Sequence, residues 1–274
     1  MKVKPVVVSG AFDDIRSRHI RFLEEAARTG GLTVLLWADD IVKQQQGRPP
    51  QLPEAERFYF LQAIRFVQRV QLIRELFATD ALPEFAGTKP EVWAVDESEH
   101  TKAKEAFCRM HGLQYHLVRN EDLRGFPDVP EPVPAPSERK QVVVTGSYDW
   151  FHSGHVRFFE EASALGDLHV IVGRDANIRL LKGEGHPLIP QAERRYVVSA
   201  IRYVKQALIS SGAGWLDAAP EIERLKPNIY VVNEEGDQGG KREYCQKNGI
   251  EYVVLRRVPA PGLPSRSSTD LRGF

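Results

Sequence analysis

Residues 6–27, VVVSGAFDDIRSRHIRFLEEAA, recur without a gap at 142–163, VVVTGSYDWFHSGHVRFFEEAS. The match sets Gly10 against Gly146, Asp13 against Asp149 and His19 against His155. A second block follows, AERFYFLQAIRFV from Ala55 against AERRYVVSAIRYV from Ala192. Further on, Lys89-Pro90 meets Lys226-Pro227, Cys108 meets Cys245, Gly112 meets Gly249 and Tyr115 meets Tyr252. A period this long marks a duplicated domain and not a solenoid. The two cysteines hold one place in each copy, which makes them core residues of the repeat and not a linked pair. Between the copies, Pro127, Pro130, Pro132, Pro134 and Pro136 crowd one segment, a density that favours an extended linker. The expected division is a domain over 1–126, a linker over 127–140 and a second domain over 141–274.

Within each copy, apolar runs alternate with helical stripes, which predicts right-handed crossovers and a parallel, Rossmann-like α/β sheet. The second copy's strands are expected near 142–145, 168–172, 229–232 and 252–255. Its helices are expected near 155–165, 191–205 and 238–248. Ala192, Val197, Ala200, Ile201 and Val204 form the stripe of the second of these. A further short helix within 215–226 would be interrupted by Pro220. The first copy's strands are expected near 6–9, 33–37, 92–95 and 115–118.

The chemistry concentrates where the first strand of the second copy meets its helix. His152-Ser153-Gly154-His155 puts two imidazoles at the carboxyl end of a strand and the amino end of a helix. Ligands of open α/β sheets bind there. The helix's first amides attract phosphate, and Gly154 would let a nucleotide approach the backbone. Imidazole donors at that point stabilise charge that develops during phosphoryl or nucleotidyl transfer.

The whole chain narrows the function. Its 274 residues carry 37 basic and 37 acidic side chains, a balance that argues against a nucleic-acid or anionic-membrane partner. No apolar run approaches a membrane span. No signal peptide is read at the start, and two cysteines without a Cys-x-x-Cys spacing fit a reducing cytoplasm.

SYDWFHSGH before a helix resembles the His-x-Gly-His signature of the cytidylyltransferase-like nucleotidyltransferases. The ending Ser265-Arg266-Ser267-Ser268-Thr269-Asp270-Leu271-Arg272 resembles that superfamily's second signature. GDQGGK, 236–241, is similar to an element of its glycerol-phosphate cytidylyltransferase branch, one residue shorter, and the tandem plan resembles ethanolamine-phosphate cytidylyltransferase. The resemblance implies transfer of a nucleoside monophosphate from CTP or ATP, with Mg²⁺, to the phosphate of a small phosphorylated alcohol or sugar. Pyrophosphate leaves, and no covalent enzyme intermediate forms.

On that reading His152 and His155 donate to the phosphates and Lys182, in a loop, closes over them. Gly146, Ser147, Tyr148, Gly154, Asp237, Arg257, Ser267, Ser268 and Thr269 would hold the nucleotide. Arg194 is a further phosphate-binding candidate, and its match with Arg57 fits a structural ion pair common to both copies equally well. Asp149 and Trp150 are assigned to the acceptor, although the recurrence of Asp149 as Asp13 also fits a loop-fixing role.

The first copy departs from the pattern. Arg16 and Arg18 replace His152 and Gly154, EHTKAK replaces GDQGGK, and Arg119-Asn120-Glu121 stand where the hydroxyl run stands. It is expected to be catalytically dead and to serve as an internal pseudo-dimer partner, with a homodimer also open. The glycine-rich element favours CTP. ATP-dependent adenylyl transfer and a non-catalytic nucleotide sensor or scaffold are the alternatives.

Overall fold

The computed structural model describes residues 3–84, 86, 87, 89–127, 137–256 and 258–267. Two compact units emerge, Met1–Gly125 and Phe126–Phe274.

The N-terminal unit runs β1 (Pro5–Gly10), α1 (Ser17–Ala27), β2 (Gly31–Trp37), α2 (Asp39–Gln46), α3 (Glu54–Ala63), β3 (Val67–Ile73), β4 (Val92–Asp96), α4 (Lys102–His111) and β5 (Gln114–Val118). Its strands lie in the order β3-β2-β1-β4-β5, all parallel.

The C-terminal unit repeats the plan. It has β6 (Gln141–Gly146), α5 (Ser153–Ala164), β7 (Asp167–Val172), α6 (Asp175–Lys182), α7 (Gln191–Ser199), β8 (Val204–Ile209), α8 (Ala219–Leu225), β9 (Ile229–Asn233), α9 (Lys241–Lys247) and β10 (Glu251–Leu255). Its order, β10-β9-β6-β7-β8, is the same arrangement read from the other edge, again all parallel.

The central strands are the valine runs. Val6 to Val8 and Val142 to Val144 are each at most 2% exposed, as a strand covered on both faces must be. Each such side chain contributes roughly 1.5–3 kcal/mol by leaving water. Val156, Phe159 and Ala162 give α5 a fully buried stripe against that sheet. Cys108 and Cys245 are free thiols, each in its own unit's core beside the central strand's second valine. Burial pushes both up to about 11.

Three expectations need correction. The helix read over 191–205 ends at Ser199, and its last apolar positions belong to a turn and to strand β8. Ile201 and Val204 are buried as the stripe required, but they are buried by the sheet. Each unit therefore has a fifth strand, β3 or β8, which the helical periodicity concealed. The segment read as a loop before Lys182 is helix α6, which buries Asn177 and Ile178 and leaves Leu180 and Leu181 exposed. Pro220 does not interrupt a helix but stands near the start of α8, where its missing N–H costs nothing. The linker expected over 127–140 lies mostly outside the described residues. Among the described residues no helix is long and apolar enough to cross a membrane.

Candidate active site

In the C-terminal unit the order of connections reverses between β6 and β9, and the crevice outside the carboxyl ends of those strands is a natural ligand site. The start of α5 fills it. His152 is the N-cap, with extended backbone, and its Nδ1 accepts from the Gly154 N–H at 3.1 Å. Reciprocally, the His152 N–H donates to His155 Nδ1 at 3.4 Å. This is a capping box built from imidazoles in place of Ser and Glu. A ring nitrogen that accepts a hydrogen bond carries a lone pair, so each neutral ring keeps its proton on Nε2. The two rings are 4.0 Å apart between centroids, and Phe151 stacks on His155 at 5.2 Å.

Both imidazoles line a cleft of about 210 Å³. Arg157, Phe158 and Glu161 of α5, Asn233 at the end of β9 and Glu235 just after it, Arg256 after β10, and the 258–267 segment form the rest of its wall. Ser267, the one member of the hydroxyl run among the described residues, lines the same cleft as the two histidines. Arg257, Ser268 and Thr269 lie outside the described residues. Sequence reading missed Asn233, Glu235, Arg256 and Arg266. VPAPGLPS, which ties the last strand to the hydroxyl run, lacks any periodicity that would show its path past the cleft.

Several sequence candidates have other tasks. Gly154 makes room for an imidazole: a β-carbon there would sit 2.9 Å from Cε1 and 3.0 Å from Nδ1 of His152. Gly146 lies beneath Tyr148, whose Cζ would be 2.8 Å from a β-carbon at that position. Tyr148 is 5% exposed, at a φ of 51°, and packs edge-on against His155 and Phe159. It underlies the imidazoles and presents no face to a base. Burial pushes its phenol far above the usual range. Phe12 lies over Gly10 in the same way, at a φ of 48°.

Arg194 is fully buried. It donates to the carbonyls of Ile189, Ser147 and Gly173 and to Asp175 at 2.6 Å. Arg57 does the same with Leu52, Ala11, Trp37 and Asp39. Both arginines knot the loops at the carboxyl end of their sheet, so the phosphate reading of Arg194 gives way to the structural one. Asp149 is 3% exposed and accepts from the Leu188 and Ile189 N–H groups at 2.8 and 2.9 Å. Asp13 holds Gln51 and Leu52 identically. Asp149 therefore fixes a loop, and the acceptor role drawn for it is withdrawn.

Lys182 ends α6, and its ammonium reaches Ser147 Oγ at 3.3 Å, beside the turn that follows β6. Trp150, half-buried, belongs to the same turn. Asp237 accepts from Tyr252 and Arg242, both at 3.0 Å, and stands apart from the cleft lining. Among the described residues no group of three or more His, Cys, Asp or Glu side chains is placed to hold a metal ion.

The matching place in the N-terminal unit is occupied by its own side chain. Arg18 stands at the position of Gly154 and Asp96 at that of Asn233. Arg18 donates to both Asp96 oxygens, at 2.8 and 3.0 Å, and to Asn120 Oδ1 at 2.7 Å. His19 keeps the half of the capping box it can, accepting from the Arg16 N–H at 3.2 Å. Burial lowers its basicity.

The chain resembles known proteins over its C-terminal half. A family model described as cytidylyltransferase-like matches residues 143–273. The FAD synthase of Ferroglobus placidus is 39% identical over 120 residues, which are 43% of this chain and 75% of that protein. The FAD synthase of Methanocella paludicola is 33% identical over 135 residues, 48% of this chain and 93% of that one. Among solved structures, a lipopolysaccharide core biosynthesis protein from Thermoplasma volcanium aligns at 23% identity and a TM-score of 0.38, covering 44% of this chain and 98% of that chain. With the paired-imidazole helix start and the Ferroglobus placidus relative, 39% identical and covered over three quarters of its length, the chain belongs to the cytidylyltransferase-like nucleotidyltransferases.

Proposed function

We propose that the C-terminal unit transfers an adenylyl group from ATP to the phosphate of FMN, giving FAD and pyrophosphate. A phosphate oxygen of FMN attacks the α-phosphorus of ATP. The bond from that phosphorus to the bridging oxygen breaks, and pyrophosphate leaves with the electron pair. Such a displacement asks the protein for alignment and charge neutralisation and for no nucleophile of its own. The observation that supports the reading is the tie between both Nδ1 atoms and backbone N–H groups, which puts the proton of each neutral ring on Nε2, the atom proposed to donate to phosphate oxygens. The α5 N-terminus adds its amides, and Arg256 and Arg266 add charge along the cleft. Lys182 is proposed to reach the phosphates from the other side of the 147–152 turn. Mg²⁺ is proposed to enter on the triphosphate, as is usual for that ion.

The acceptor and the nucleotide come from the relatives called FAD synthase. They move the choice from CTP, which the glycine-rich element favoured, to ATP. The family description keeps CTP with a phosphorylated alcohol or sugar as the second reading. The N-terminal unit is proposed to carry out no transfer, because Arg18 and its partners take up the corresponding place.

Pyrophosphate release separates the readings. ATP, CTP, GTP and UTP are each offered, with Mg²⁺, together with FMN, glycerol phosphate, ethanolamine phosphate or a sugar phosphate. ATP with FMN is expected to turn over fastest. A preference for CTP with a phospho-alcohol would replace the FAD reading. Binding without turnover in every pairing would make the chain a nucleotide sensor.

A further inference from the structure

Trp215 is a large aromatic side chain left 54% exposed, yet it is held in place. Its benzo ring lies against Gly239 and Gly240. A β-carbon at Gly240 would meet Cη2 at 3.0 Å and Cζ2 at 3.3 Å, and one at Gly239 would meet Cε3 at 3.7 Å. The residue before it is clamped: buried Asn177 of α6 donates to the Gly214 carbonyl at 3.1 Å and accepts from the Gly214 N–H at 2.7 Å. The indole therefore has glycine beside its benzo ring and an anchor immediately before it in sequence.

One loop joins the platform to the candidate site. The loop that backs it starts at Asn233 and Glu235, which line the histidine cleft. That loop is pinned twice, by Gly236 N–H to Asn233 Oδ1 at 2.8 Å and by Lys241 Nζ to the Gly236 carbonyl at 2.9 Å. Helix α6, which clamps Gly214, also carries Lys182. In the N-terminal unit Lys102 and Ala103 stand where the two glycines stand, and they begin α4. The glycine backing thus occurs in the copy that kept both histidines and not in the other.

Resting on the FMN reading above, we propose that Trp215 is the stacking platform for the flavin ring of the acceptor. Gly240 is glycine so that the indole can lie against the backbone, while Gly239 has a φ of 68°, which favours glycine whatever lies beside it. FMN would span from the indole to the cleft, its phosphate directed at the imidazoles. The platform sets the KM for the acceptor and leaves nucleotide binding alone, since Trp215 is not part of the cleft wall.

The test uses the full chain, its Trp215→Phe and Trp215→Ala variants, ATP and FMN. Stacking on an aromatic side chain is worth roughly a five- to hundredfold change in affinity on its removal. Trp215→Ala is expected to raise the KM for FMN about tenfold or more, with the KM for ATP within about twofold, and Trp215→Phe to fall between. Emission from FMN bound with a non-hydrolysable ATP analogue is expected to be quenched by the wild-type indole and to recover in Trp215→Phe. If the wild type makes FAD while Trp215→Ala keeps its KM for FMN, the platform is wrong and the FAD reading stands. A fall in kcat with both KM values unchanged would likewise overturn the platform. If the wild type neither makes FAD nor alters FMN emission, the FAD reading fails and takes this proposal with it.

Discussion

Gly154→Ala sets two opposed effects against each other at one atom. Within a helix, alanine is favoured over glycine by about 0.8–1 kcal/mol. Here the added carbon falls 2.9 Å from His152 Cε1 and 3.0 Å from its Nδ1, closer than such atoms pack. The ring is 4% exposed and stands 4.0 Å from the His155 ring, so it has little room to withdraw. It relieves the clash by giving up its hydrogen bond from the Gly154 N–H, and loss of a helix cap costs about 0.5–2 kcal/mol. The gain and the loss nearly cancel, and the change in unfolding free energy is expected to stay within about 1 kcal/mol. Activity has no such compensation. A displaced phosphate donor costs about 10²–10³ in rate. Urea unfolding and pyrophosphate release on one preparation measure both. A variant with wild-type stability and a hundredfold loss of kcat is expected. Retained activity would refute the claim that Gly154 exists to seat the His152 ring.

Other consequences follow from buried groups. Arg194→Met leaves three loop carbonyls and Asp175 without their donor; because Asp175 is partly exposed, the cost is expected near the low end for a broken buried pair, about 3 kcal/mol, and a loss under 1 kcal/mol in urea unfolding would contradict the knot. His169 is buried between Gln206 and Gln141, and burial lowers its basicity. The unfolded chain then binds a proton that the folded unit refuses, so stability is complete above about pH 6.5 and falls as the pH drops below it. Melting temperature against pH is expected to show this slope, and His169→Asn to flatten it; equal slopes would exclude His169 as the cause. Calorimetric titration with ATP and Mg²⁺ is expected to give one site per chain, since Arg18 takes the second place, and two equivalent sites would contradict that.

Much of this was legible in the sequence because duplication supplies its own alignment. The valine runs announced the central strands, and the paired histidines announced the helix start that fills the crevice. The edge strands β3 and β8 were not legible. Lys205 is exposed while Gln206 and Ala207 are buried, so apolar alternation is broken, and the preceding helical stripe runs on into the strand. Residue roles were readable only where both copies agreed. Asp149 and Arg194 recur in a copy that lost the first histidine and the glycine of the motif, and that recurrence was the sign that a structural role competed with the ligand roles read for them. Arg256 and Arg266 were not readable, because only the path of the segment after β10 brings them to the cleft.

The central claim is that one paired-imidazole cradle, in the C-terminal unit, carries the transfer. Initial rates of pyrophosphate release for His152→Ala, His155→Ala and His19→Ala test it most directly. The first two are expected to lose about 10²–10³ in kcat, while His19→Ala keeps the wild-type rate. An equal loss in His19→Ala, or full activity in His152→Ala, would contradict it.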